Sequence, residues 1–204
     1  HPASGNLDGD SGQLAPEKRQ SYLKRIGDQV DFLSGMLDNV LLTMRAEAGH
    51  LEFRPEPLDY DEFCAEIVEK LRLTVSENQN LIFETEGDLT ALPGDKTLLG
   101  HAVTNLLSNA IKYSPDGGEI RLMVQRKKNE VALTISDHGI GLSAEDRQRL
   151  FEPYFRAKNV GRIKGTGLGL KITADCVKLH GGRIEVESEL GQGTTFRVFI
   201  PVDA

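Results

Sequence analysis

The chain has 204 residues, of which 39% are hydrophobic and 27% charged, and its 31 acidic and 24 basic side chains give a net charge of -7. This composition is typical of one large globular domain or one domain with an appendage, and the acidic balance argues against binding nucleic acid through the whole surface. No apolar run approaches the roughly 20 residues that span a bilayer, and Cys64 and Cys176 lack the spacing of a disulfide framework or a thiolate metal site. A cytoplasmic protein is expected, whether its parent is soluble or membrane-anchored.

Residues 1–15 are rich in Gly, Ser, Asp and Pro and are expected to form a flexible lead. Residues 16–50 predict one long amphipathic helix, in which Pro16 suits the first turn and Gly49 suits the end. Its apolar residues are spaced alternately by three and four positions: Leu23, Ile26, Val30, Leu33, Leu37, Val40 and Met44. This spacing predicts a coiled-coil or helical-bundle seam, and packing against the domain that follows is the alternative.

Residues 51–59 contain two prolines and predict an extended linker with at most one edge strand. Residues 60–204 predict a single domain. Its predicted helices cover 61–77, 95–113, 144–150 and 167–179, and its predicted strands cover 81–86, 119–126, 131–137, 183–188 and 195–201. The hairpins exclude a purely parallel sheet. The predicted fold is α+β, a two-layer sandwich in which helices cover one face of a mixed, largely antiparallel sheet, with the long helix preceding it.

Four segments rich in glycine or asparagine lie among these elements. They are NLLSNAIKYS (residues 105–114), DHGIGL (137–142), GTGLGL (165–170) and GQGTTF (191–196). Each alone is weak evidence, because glycine pairs mark turns more often than ligand sites. Asp137 continues the odd-numbered inward face of its strand, so its carboxylate is expected to point into the core. Asn105 and Asn109 are one helical turn apart and share a face.

Together with FEPYFR at residues 151–156, these segments resemble the ATP-binding catalytic domain of bacterial sensor histidine kinases, whose superfamily also holds DNA gyrase B and MutL. The likeness is close over residues 60–202. It extends more loosely to about residue 16, where the helix resembles the second helix of a dimerisation and phosphoacceptor hairpin. The resemblance implies a protein histidine kinase that binds ATP and Mg²⁺, forms a homodimer through residues 16–50 and serves a response regulator receiver domain.

The resemblance also implies a nucleotide site. Asp137 would accept a hydrogen bond from the adenine amino group, Asn109 would ligate Mg²⁺ through its amide oxygen, and Lys112 and Arg156 are candidates for phosphate contact. Backbone amides at the start of the last helix would bind phosphate. The full set is Asn105, Asn109, Lys112, Tyr113, Asp137, Gly139, Gly141, Phe155, Arg156, Gly165, Thr166, Gly167, Leu168, Gly169 and Thr194. A basic lid is predicted from Arg156, Lys158, Arg162 and Lys164.

The residue at position 105 indicates the reaction class. In the gyrase and MutL branch a Glu here activates the attacking water, and Asn cannot accept that proton, so hydrolysis is expected to be slow. Phosphoryl transfer to a supplied nucleophile stays possible, because it depends mainly on positioning and charge neutralisation. No histidine lies beside an acidic residue on a helix preceding the amphipathic one; the five are His1, His50, His101, His138 and His180. The phosphoacceptor is therefore expected upstream of residue 1.

Several other functions are considered. GIGLSA at residues 139–144 fits a dinucleotide-binding pattern, but no second parallel strand ending in an acidic residue follows about 20 residues later. Cys176 and His180 have the i, i+4 spacing of metal ligands but lack further ligands nearby. An ATPase or Ser/Thr protein kinase of the same superfamily is one alternative, and a nucleotide-binding module that regulates a partner without chemistry is another.

Overall fold

The computed structural model describes residues 16–48, 50–161, 163 and 165–202. The chain divides into two compact units, one extending to Asp38 and the other beginning at Asn39. Helix α1 (Pro16–Glu47) provides the described part of the first unit. There the predicted seam is exposed, with Leu23, Ile26, Val30, Leu33 and Leu37 between 54% and 61% accessible. None of the helices in the described ranges has the length and hydropathy to cross a membrane.

A five-stranded sheet in the order β2-β4-β5-β7-β6 forms the centre of the second unit. Its strands are β2 (Gln79–Glu86), β4 (Gly118–Arg126), β5 (Glu130–Asp137), β6 (Arg183–Glu189) and β7 (Gly193–Pro201). Strand β2 runs parallel to β4, and the other neighbours are antiparallel, which confirms the mixed sheet. A separate antiparallel pair joins β1 (Glu56–Leu58) to β3 (Leu92–Gly94). The sequence prediction lacks β3.

The two faces of the large sheet differ as the alternating sequence predicts. Inward residues of the β4–β5 hairpin are at most 1% exposed: Ile120, Leu122, Val124, Val131, Leu133 and Ile135. The outward face carries ion pairs instead, such as Arg121 with Glu84 and Arg197 with Glu187. Because these side chains are partly exposed, the pairs form a solvated surface and add little stability. One buried face is enough to fix the register of each strand.

Helices α2 (Tyr60–Arg72), α3 (Lys96–Lys112) and α5 (Gly169–Leu179) pack on the inward face, and the short α4 (Ala144–Arg149) contacts β6. Asp59 caps α2, because its carboxylate accepts from the N–H groups two and three residues ahead. Helix α2 ends at Arg72 and not at residue 77. The N–H and hydroxyl of Thr74 both donate to the Leu71 carbonyl, at 2.9 and 2.7 Å, and this turn closes the helix early.

A smaller hydrophobic cluster joins α3 to α5. It contains Leu98, Ala102, Leu168, Ile172 and Cys176, and Val40, Leu42 and Leu51 pack against it. Val40 therefore differs from the earlier seam residues, since it is half-buried within the second unit. In the last turns of α1, Val40 packs against the domain that follows, whereas Met44, the last residue of the stripe, is 61% exposed. The earlier turns keep the exposed seam.

A buried polar network connects the residues before β1 to α3 and α5. Asp95 caps α3 through Oδ1, and its Oδ2 accepts from the Arg54 N–H at 2.9 Å. The Asp95 N–H donates to His180 Nε2 at 3.0 Å, and His180 Nδ1 lies 2.7 Å from the Cys176 carbonyl. Both ring nitrogens are engaged only if Nδ1 carries the proton and His180 is neutral. His180 is thus a structural residue and offers no lone pair to a metal.

The neutral form of His180 predicts a loss of stability in acid. Burial lowers its pKa, outweighing the opposing effects of the Cys176 carbonyl and Asp95. The unfolded chain takes up the proton at about pH 6.5, so the free energy of unfolding falls as the pH drops below that value. Urea unfolding between pH 5 and 8 should show this slope in the wild type and a flatter one in His180→Gln. An unchanged slope in His180→Gln would contradict the assignment.

Candidate functional site

Asp137 ends β5 with its carboxylate half-buried on the inward side of the sheet. Its Oδ1 accepts from the N–H of Gly139 at 2.8 Å and of Thr194 at 3.3 Å. Its Oδ2 accepts no hydrogen bond from any residue in the described ranges. Burial raises the pKa of this carboxyl, and the two backbone donors oppose that rise only in part. Asp137 therefore holds its position through one oxygen and has the other available for a ligand.

Thr194 reaches Asp137 through strand pairing. It lies in β7 directly opposite Asp137, and not in the turn where the sequence places it. Its hydroxyl is 2.9 Å from that of Ser188 on the neighbouring strand β6. The pairing of three strands thus sets the distance between Asp137 and Thr194.

The glycines of the 137–142 loop are required by the chain's own backbone. A Cβ on Gly139 would lie 2.1 Å from the Tyr113 carbonyl oxygen. Gly141 has φ +60°, and a Cβ there would lie 1.9 Å from the Glu189 carbonyl oxygen. The Ile140 N–H also donates to the Tyr113 carbonyl at 2.9 Å. The loop is therefore held tightly between the end of α3 and the β6–β7 turn.

On α3, Asn105 contacts the start of α5. Its Nδ2 donates to Thr173 Oγ1 at 2.8 Å, and that hydroxyl donates to the Gly169 carbonyl at 3.0 Å. A Cβ on Gly169 would lie 2.1 Å from Asn105 Oδ1. The side chain of Asn105 thus joins the two helices. Thr173 is missing from the predicted site, and nothing in its sequence context singles it out.

Asn109 and Lys112 lie farther along α3. Asn109 is half-buried, and its side chain makes no hydrogen bond within the described ranges. The Lys112 Nζ donates to the Tyr113 hydroxyl at 3.1 Å and lies 4.5 Å from the centre of that ring. A Cβ on Gly165 would lie 2.8 Å from the same Nζ. The ammonium group of Lys112 therefore faces the backbone of the GTG segment, residues 165–167.

Helix α5 begins at Gly169, two residues later than predicted, and no described side chain caps its N-terminus. The Leu168 side chain is 1% exposed and fixes this end in the smaller cluster. Gly167 has φ +75°, and a Cβ there would lie 2.5 Å from the Tyr154 carbonyl carbon. Thr166 Oγ1 accepts from the Leu168 N–H at 3.2 Å. An uncapped helix start preceded by glycines is a favourable place for an anion.

The predicted basic lid is described only in part, because Arg162 and Lys164 lie outside the described residues. Arg156 is exposed and donates through its guanidinium to the Ile163 carbonyl. Lys158 Nζ lies 3.7 Å from Glu145. The described part of this segment contains a 3-10 turn at Lys158–Val160. Neither described cation of this segment is held in a buried position.

Phe155 lies between the lid and α4. The guanidinium of Arg149 is 4.5 Å from the centre of its ring. The Phe155 carbonyl oxygen would be 2.8 Å from a Cβ on Gly167. Phe155 therefore contacts the GTG segment through its backbone as well as packing α4 through its ring.

A cavity of about 460 Å³ opens at the ends of β5, β6 and β7. It includes Asp137 and Thr194, but none of the α3 candidates lines it. Its remaining lining is strongly polar: Ser136, His138, Arg147, Glu187, Ser188, Glu189, Gln192, Gly193 and Thr195. A purine ring prefers an apolar slot with a few polar anchors, so this cavity suits it poorly. The contacts around the 137–142 loop and the GTG segment indicate the site better.

No cluster of three or more His, Cys, Asp or Glu side chains in the described ranges could hold a metal ion. Mg²⁺ in nucleotide sites needs only one or two protein oxygens, because phosphates and water supply the rest. The Asn109 amide is compatible with such a site.

Comparison with known proteins places this geometry in a family. A family described as "Histidine kinase-, DNA gyrase B-, and HSP90-like ATPase" matches residues 94–204. The adaptive-response sensory kinase SasA of Thermosynechococcus vestitus is 31% identical over 200 residues, which are 97% of this chain and 53% of SasA. The circadian input-output histidine kinase CikA of Synechococcus elongatus is 30% identical over 91% of this chain and 25% of CikA. The chain thus spans about half, or less, of these relatives.

Solved structures agree with the sequence relatives. Full-length ShkA in complex with AMPPNP superposes with a TM-score of 0.75 at 25% identity, over 94% of this chain and 41% of ShkA. The mycobacterial sensor histidine kinase MprB has a TM-score of 0.62 at 32% identity, over 72% of this chain and 97% of the MprB chain. The chain belongs to the histidine kinase-, DNA gyrase B- and HSP90-like ATPase family and is a histidine kinase-type ATPase domain homologous to sensor histidine kinases.

Proposed function

We propose that the chain binds Mg²⁺-ATP between α3, the 137–142 loop and the GTG segment, and acts as the kinase domain of a two-component sensor histidine kinase. One observation supports this most. Asp137 has one oxygen committed to hydrogen bonds with backbone N–H groups and one available, and the Lys112 ammonium faces the GTG segment just before the uncapped start of α5. In the proposed site, Asp137 would anchor the base, and Lys112 with the helix start would bind the phosphates.

At the base end, the available oxygen of Asp137 would accept from the adenine amino group. Thr194 and Tyr113 would line the same end, because β7 and the end of α3 hold the loop there. Gly139 and Gly141 let the loop lie against the Tyr113 and Glu189 carbonyls and so hold the segment that carries Asp137. The raised pKa of Asp137 is compatible with a carboxylate that waits in a partly desolvated pocket for a neutral donor.

At the phosphate end, Lys112 would contact phosphate oxygens together with amides of the GTG segment and the helix start that follows it. These amides belong to Gly165, Thr166, Gly167 and Gly169, and the Phe155 backbone contacts this segment. The Leu168 N–H would join them only by leaving Thr166 Oγ1. Asn109 would ligate Mg²⁺, since its amide makes no competing hydrogen bond among the described residues. Arg156 is exposed on the neighbouring segment. Its guanidinium could contact the γ-phosphate only by breaking its hydrogen bond to the Ile163 carbonyl.

The environment of Asn105 favours transfer over hydrolysis. An amide cannot serve as a general base, and this one donates to Thr173. Its side chain joins α3 to α5 and therefore has a structural role in the proposed site. The γ-phosphoryl group would instead pass to a histidine of a phosphoacceptor domain and then to a response regulator. This activity is proposed for a parent protein, because the chain spans only part of its relatives.

Helix α1 supports a dimeric parent. The exposed seam residues of α1 in the first unit have the spacing of a helical-bundle seam. Five large apolar side chains that are more than half exposed to water favour burial against a partner. We propose that residues 16–50 form the second helix of a dimerisation hairpin, residues 51–59 a linker, and residues 60–204 the nucleotide-binding domain. In this scheme a second copy of the chain covers the seam.

Calorimetric titration with AMPPNP tests the nucleotide site. The wild type should bind saturably with Mg²⁺ and more weakly after chelation. Asn109→Ala should bind about tenfold more weakly with Mg²⁺ and lose most of the effect of chelation, because one metal ligand is gone. Asn129→Ala makes the same change on an exposed turn and should match the wild type. If the wild type bound no AMPPNP, or if Asn109→Ala kept full Mg²⁺ dependence, the proposed site or the metal assignment would fail.

A further inference from the structure

We propose that Asn159 is a positioning residue for the base end of the site: its side-chain amide holds the 137–142 loop and so supports selection of adenine. This inference rests on the proposed nucleotide site. The motifs that predict the site do not include Asn159, and the basic residues around it suggest a role at the phosphates instead.

The segment 157–160 is seated on the 137–142 loop and the helix start after it. Asn159 Nδ2 donates to the Gly141 carbonyl at 2.7 Å. Ala157 and Val160, on either side, are buried at 7% and 9% exposure, and the 3-10 turn holds them together. Lys158 reaches Glu145 at the start of α4. The contacts of Asn159 and Lys158 thus reach the proposed base end of the site. None of them involves Lys112 or the described residues of the GTG segment.

Asn159 differs in kind from the other groups that hold this loop. The Ile140 N–H donates to the Tyr113 carbonyl, and the Ile140 carbonyl accepts from the Gly191 N–H, both at 2.9 Å. Those are backbone bonds that survive most substitutions. Among described residues, Asn159 supplies the side-chain hydrogen bond to the Gly141 carbonyl. One substitution can therefore remove this contact alone.

The loop position matters for the base because Asp137 and Gly141 belong to the same short segment. Gly139 donates to Asp137 Oδ1, so a shift of the glycines changes where Asp137 Oδ2 lies relative to the base edge. Loosening the loop should weaken the binding of a nucleoside diphosphate and of a triphosphate by the same factor, because the contacts to their phosphates do not change. It should also reduce discrimination against hypoxanthine, which has a carbonyl where adenine has the amino group.

The test compares dissociation constants of ADP, IDP and AMPPNP, each with Mg²⁺, measured by calorimetry. Asn159→Ala should weaken ADP and AMPPNP by the same factor, about threefold, the usual effect of losing one neutral hydrogen bond. The preference for ADP over IDP should also shrink. Asn159→Asp keeps the size but sets a carboxylate against the Gly141 carbonyl oxygen, so it should weaken ADP and AMPPNP at least as much. Asn129→Ala should leave all three constants unchanged. Asn159 is itself exposed, so the folded state should survive these changes.

Three outcomes would overturn the proposal. A loss confined to AMPPNP would place segment 157–160 at the phosphates. Equal weakening of IDP and ADP would mean that Asn159 supports the fold without positioning the base. Unchanged constants in Asn159→Ala, with normal wild-type binding, would remove Asn159 from the site while leaving the proposed function intact. Absence of nucleotide binding by the wild type would instead refute the proposed function, and this inference with it.

Discussion

Asp137→Asn should weaken binding of both ADP and AMPPNP by about 100-fold without unfolding the protein. The Asn Oδ1 can still accept from the N–H groups of Gly139 and Thr194, so the loop and the strand pairing are retained. The Nδ2 replaces the available carboxylate oxygen and would place a donor against the adenine amino group. Loss of a hydrogen bond to a charged acceptor is worth about 3 kcal/mol at most, or about two orders of magnitude in affinity.

The measurement is a calorimetric titration of each nucleotide, with thermal unfolding recorded in parallel. Asp88→Asn makes the same chemical change in an exposed loop and should bind normally. Equal losses for ADP and AMPPNP would exclude a defect at the γ-phosphate, because only AMPPNP carries that group. Normal affinity in Asp137→Asn would show that the base is held elsewhere.

The sequence predicts the sheet and the position of Asp137 because both follow from period-two alternation. The β4–β5 hairpin buries alternate residues, and the same parity brings Asp137 to the inward side. Asp95 is likewise predictable as a helix cap, since its carboxylate satisfies backbone donors two and three residues ahead. Such features depend on neighbours close in sequence. Local pattern is therefore sufficient to find them.

Features that depend on distant contacts are not predictable in this way. Strand β3 exists because three residues pair with β1, and a sequence so short carries no alternation of its own. Thr173 and Asn159 enter the site through partners 68 and 18 residues away. The glycines of the 137–142 loop are recognisable in the sequence as a motif, but the sequence does not show why glycine is required there. The space they leave is occupied by backbone carbonyls of other segments, which only the folded chain brings there.

Gly141→Ala should be the most disruptive single-methyl change in the loop. Its φ of +60° is unfavourable for alanine by about 1 to 2 kcal/mol, and the new Cβ would also lie 1.9 Å from the Glu189 carbonyl oxygen. That neighbour is backbone at a strand end and cannot rotate away. The loop or the β6–β7 turn must move, which should raise the total loss of unfolding free energy to about 3 kcal/mol or more.

Gly191→Ala separates backbone strain from crowding. Gly191 has φ +74° with open space for 4 Å around the point where a methyl group would be added, and its N–H bond to the Ile140 carbonyl does not involve a side chain. Urea unfolding should therefore show a loss of only about 1 kcal/mol, with nucleotide binding retained. In Gly141→Ala both stability and AMPPNP affinity should fall together, because the displaced loop carries Asp137. Similar losses in the two variants would mean that φ alone decides the effect, and the close approach to Glu189 would lose its importance.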